Sequence, residues 1–130
     1  QTTQPIRHLT LVYNADGGAL SAFADSARKV LQLGGCTLCS ITHGVLGEKQ
    51  DWRTCREALG VTVDVLHRDE IPANLREVVG TNLPCVVADT DDGPLMLLAP
   101  DVLARCRGSV TDFRDRLEIH AAMRSLSLGE

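Results

Sequence analysis

Apolar residues fall in short blocks along the 130-residue chain, and Gly or Pro closes most of them. Residues 8–13 (His-Leu-Thr-Leu-Val-Tyr) read as a buried strand that ends at the turn-forming run Asn14-Ala15-Asp16-Gly17-Gly18. Leu20, Phe23, Ala24, Ala27, Val30 and Leu31 then recur at helical spacing, which predicts a helix over 19–33 with one face on the core. Arg28 and Lys29 suit the negative end of its dipole, and Gly34-Gly35 stop it. Residues 36–44 (Cys-Thr-Leu-Cys-Ser-Ile-Thr-His-Gly) fit either a short helical turn or a structured loop. A further helix is expected over 48–59, with Trp52, Cys55 and Leu59 on one face and Gly60 as its stop.

Val61 to Val65 alternates in the two-residue period of a strand, with Leu66 and His67 at its end. Pro72 suits the first turn of a helix that runs to Val79 and stops at Gly80. Residues 84–88 and 95–98 are two apolar strands, and the Asp89-Thr90-Asp91-Asp92-Gly93 run between them has hairpin turn chemistry. Asp101 opens a short helix or turn to Arg107. A last helix is expected over 110–125, with Phe113, Leu117 and Ala121 four apart on its inner face. Residues 1–7 are polar, carry Pro5 and read as a tail, which leaves 8–130 as a single domain. The order predicts an α/β fold with a mixed central sheet flanked by helices.

Composition narrows the function. Apolar residues at 44% support a real core, but aromatic residues at 3% leave few rings to stack bases. Net charge is -4 and no Lys/Arg cluster exceeds two residues, so no nucleic-acid partner is expected. No apolar run approaches the roughly 18 residues of a spanning helix, so no membrane partner is expected. No secretory signal is visible, and Gln1 in place of Met leaves room for a removed upstream segment. Five scattered cysteines with one close pair suit a reducing compartment, and a cytoplasmic location is expected.

The close pair, Cys36 and Cys39, carries the main candidate chemistry. Two intervening residues allow both sulfurs to lie on one side of a turn, within reach of a disulfide or a shared metal. At a helix start the free N–H groups favour a thiolate, which makes Cys36 the nucleophile. Two structural cysteines in a loop, within a non-catalytic interaction domain, is the bland alternative. His43 follows Cys39 by four residues and would share its face if the helix continued. Cys36, Cys39 and His43 then form a three-ligand candidate for Zn or Cu, with Cys55, His67, Cys85 or water as the fourth ligand. His43 can equally tune a thiolate, or cap the helix before Gly44.

Pro84 opens a predicted strand and is either a cis proline or a trans proline on an edge. Cys85 reads as a buried small hydrophobe, or as a third thiol at the site. The Asn14 to Gly18 turn lacks the Lys-Ser or Lys-Thr of a Walker A loop, so Asp16 or Ser21 is expected to cap a helix there. Asp89, Asp91 and Asp92 miss the calcium-loop spacing, because Gly93 comes one place early and no Glu takes the twelfth position. His8, His67 and His120 have no spacing partners.

In element order, in the Cys36–Cys39 pair and in Pro84 before the penultimate strand, the chain resembles the thioredoxin-like superfamily. It is also similar to a group of uncharacterised small bacterial proteins, through Tyr13 to Asp16 and through the Cys-x-Leu-Cys-x-x-Thr-His-Gly segment from Cys36 to Gly44. The thioredoxin resemblance implies thiol–disulfide exchange with protein thiols or disulfides, with Cys36 as nucleophile, Cys39 as resolving thiol and Pro84 on the substrate side. It also implies an insertion that carries the pair between the first two strands. The chain departs from thioredoxins in lacking a Trp before Cys36 and a Gly-Pro between the cysteines.

Overall fold

The computed structural model describes residues 4–14, 37–44 and 47–128. The predicted helix over 19–33, the Asp16 and Ser21 caps and Cys36 lie outside them. In chain order the elements are β1 (Gln4–Pro5), β2 (His8–Tyr13), α1 (Thr37–Thr42), β3 (His43–Gly44), β4 (Gly47–Glu48), α2 (Gln50–Ala58) and β5 (Thr62–His67). A single 3-10 turn, Arg68–Glu70, leads to α3 (Ala73–Val79), β6 (Cys85–Thr90), β7 (Gly93–Leu98), α4 (Pro100–Arg105), α5 (Val110–Met123) and β8 (Leu126–Ser127).

The main sheet is mixed, in the order β5-β2-β6-β7. β2 runs parallel to β5 and antiparallel to β6, and β6 runs antiparallel to β7. Alternation along β2 sends Leu9, Leu11 and Tyr13 to one face and Thr10 and Val12 to the other. The first face carries the larger core. Leu38 and Ile41 of α1, Trp52 of α2, Leu103 of α4 and Phe113 and Leu117 of α5 close over Leu9, Leu11, Val86 and Ala88. Trp52 and Phe113 meet edge to face, with ring centroids 5.6 Å apart. Among the described residues the second face is covered by α3, whose Leu75 and Val79 sit on Val12, Cys85 and Val87. A six-strand-residue element such as β6, apolar on both faces from Cys85 to Ala88, is what a central strand between two such layers requires.

Several expectations need correction. Residues 4–6 are not tail: β1 pairs in parallel with β8, and Ile6 is buried in the larger core. Asp89 and Thr90 belong to β6 rather than to the turn, because Thr90 pairs with Gly93 and leaves only Asp91-Asp92 between the strands. Those two carboxylates accept bonds from Arg7 (2.8 Å) and Gln4 (3.0 Å), which ties the N-terminal strand to the hairpin. The fifth helix ends at Met123, two residues short of the expected stop. Among the described residues no helix is long and apolar enough to cross a membrane.

Candidate functional site

The candidate site lies at the end of the sheet where β2 finishes. Val12 pairs with Cys85, which brings Pro84, the residue before it, level with Tyr13. The Leu83–Pro84 peptide bond is cis, and Pro84 is buried. Tyr13 also pairs with His67 at the end of β5, and their rings meet edge to face at 5.9 Å. The His67 Nδ1 lies 2.6 Å from Glu70 Oε1, and the same oxygen accepts the His67 backbone N–H at 2.9 Å. These two bonds to the charged form hold the Glu70 carboxyl below its ordinary value. Three strand ends and their side chains therefore converge around Tyr13.

α1 reaches the same place from its C-terminal end. The Tyr13 and Thr42 hydroxyls are 2.5 Å apart and buried, and Thr42 also reaches back to the Leu38 carbonyl at 3.5 Å. Leu38 and Ile41 anchor the helix in the larger core. Cys39 sits in this helix, three residues before Thr42. Cys36 is the residue immediately before the helix in the chain and lies outside the described residues.

The helix does not continue to His43. It stops at Thr42, whose carbonyl accepts the Lys49 N–H at 2.9 Å, and His43 opens the two-residue strand β3 paired with β4. The condition on which His43 would share the face of Cys39, a continuing helix, is not met: the chain turns into a hairpin, whose strands pair His43 with Glu48 and Gly44 with Gly47. A short helical turn, rather than a loop, is what residues 37–42 form.

The remaining thiols are packing groups. Cys55, Cys85 and Cys106 are free and buried. Burial pushes the Cys85 thiol up to about 12, because it penalises the thiolate. Burial also raises Cys55 and Cys106, with Arg114 and Arg116 respectively opposing the shift. Cys85 therefore acts as the small hydrophobe expected of a buried thiol, between Val12 and Val87.

No family model, curated protein or solved structure matches the chain. Two relations that join the site escaped the sequence: the Tyr13–Thr42 hydroxyl pair and the Tyr13–His67 ring contact. Neither has a sequence signal, because the partners are 29 and 54 residues apart and meet only through the parallel register of β2 and β5 and the docking of α1. Asp91 and Asp92, in the hairpin turn, accept bonds from Arg7 and Gln4.

Proposed function

We propose that the protein is a thioredoxin-like thiol–disulfide exchange protein acting on protein thiols or disulfides in a reducing, cytoplasmic compartment. The observation that carries the reading is the mixed four-strand sheet with helices on both faces, in the chain order the resemblance implies. α1, which contains Cys39, falls between β2 and β5 in the chain and is bound to the end of β2 through Thr42 and Tyr13. That agrees with an insertion carrying the cysteine pair between the first two strands. The three thiols elsewhere, buried and free, agree with a reducing compartment.

In this reading the Cys36 thiolate attacks one sulfur of a substrate disulfide, and the other substrate sulfur leaves as a thiolate. A mixed disulfide joins Cys36 to the substrate. Cys39 then loses its proton and attacks the Cys36 sulfur, which releases the second substrate sulfur as a thiolate. The substrate gains two electrons and the Cys36–Cys39 pair is oxidised to a disulfide; Cys39 gives up one proton, and solvent supplies the second that turns both released thiolates into thiols. His43 tunes the thiolate, and Pro84 forms the inner wall on the substrate side.

The test is exchange with a small-molecule disulfide. Cys36→Ser is expected to abolish it, Cys39→Ser to stop it at the mixed disulfide, and Cys55→Ser to leave it unchanged. Equal activity in Cys36→Ser would overturn the proposal.

A further inference from the structure

We draw no further inference here: the strongest candidate, the groove between α2 and α5 where Cys55 lies beside the Asp51, Asp115 and Glu118 side chains, offers a lone buried thiol among exposed carboxylates, and nothing among the described residues points to a ligand for it.

Discussion

The Tyr13 and Thr42 hydroxyls lie 2.5 Å apart in the buried seam between β2 and α1. This bond joins the last residue of the strand to the last residue of the helix that contains Cys39. Tyr13→Phe removes it and leaves the Thr42 hydroxyl with a poorer set of partners. The expected cost is about 1–2 kcal/mol in denaturant unfolding. Thr42→Val should cost a similar amount, and the double variant should fall short of the sum by about 1 kcal/mol. Additive effects would mean that the two hydroxyls do not act together.

Cys85 sets a pH dependence. Its thiol is raised from 9.0 to about 12 by burial, so the fold holds the neutral form. The unfolded chain ionises above 9.0 while the native chain does not. The native state is therefore favoured fully below that value and loses this advantage as pH rises toward 12. Unfolding free energy measured across that window should fall less steeply in Cys85→Ala than in the parent. At pH 8, native Cys85 should also resist alkylation that the unfolded chain undergoes readily.

Gly80 ends α3 at φ 55 and ψ -127, a conformation that side-chain-bearing residues avoid. A Cβ built there meets only Asn82 Nδ2, at 4.0 Å, so the obstacle is the backbone and not a clash. Gly80→Ala is expected to lower stability by about 1–3 kcal/mol in thermal or denaturant unfolding. An unchanged midpoint would show that the turn after α3 relaxes freely.

Ser109 caps α5 by accepting the Asp112 N–H at 3.2 Å. The helix it starts supplies Val110, Phe113, Leu117 and Ala121 to the larger core. Ser109→Ala should cost about 1 kcal/mol, and Ser109→Asp should be close to neutral. Calorimetry on the three proteins checks both values.

Local pattern made much of this fold legible. Leu9, Leu11 and Tyr13 alternate with Thr10 and Val12 as a strand between two layers must, and Phe113, Leu117 and Ala121 mark the inner face of α5 at helical spacing. Gly80 and Pro72 bracket α3 by their own backbone chemistry. What escaped depends on partners far along the chain. β1 is two residues long and exists only because β8, more than 120 residues later, lies beside it. Asp89 and Thr90 have the composition of a turn, yet ladder pairing with β7 keeps them in the strand. The His8–Asp64 contact needs the parallel register of β2 and β5, which no spacing rule encodes. His43 leaves the cysteine-bearing helix because Thr42 closes onto Lys49, a bond invisible in a run that otherwise suits either a helix or a loop.

The most direct test of the central claim is a thiol count with elemental analysis on protein purified without reductant or chelator. The chain has five cysteines. The account predicts two fewer free thiols than that in the oxidised protein, no bound Zn or Cu, and all five on reduction, with Cys36→Ser unable to form the bond. Bound metal, lost on changing Cys36 or Cys39 and shielding the thiols until chelation, would contradict it, as would five free thiols that never pair in a glutathione redox buffer.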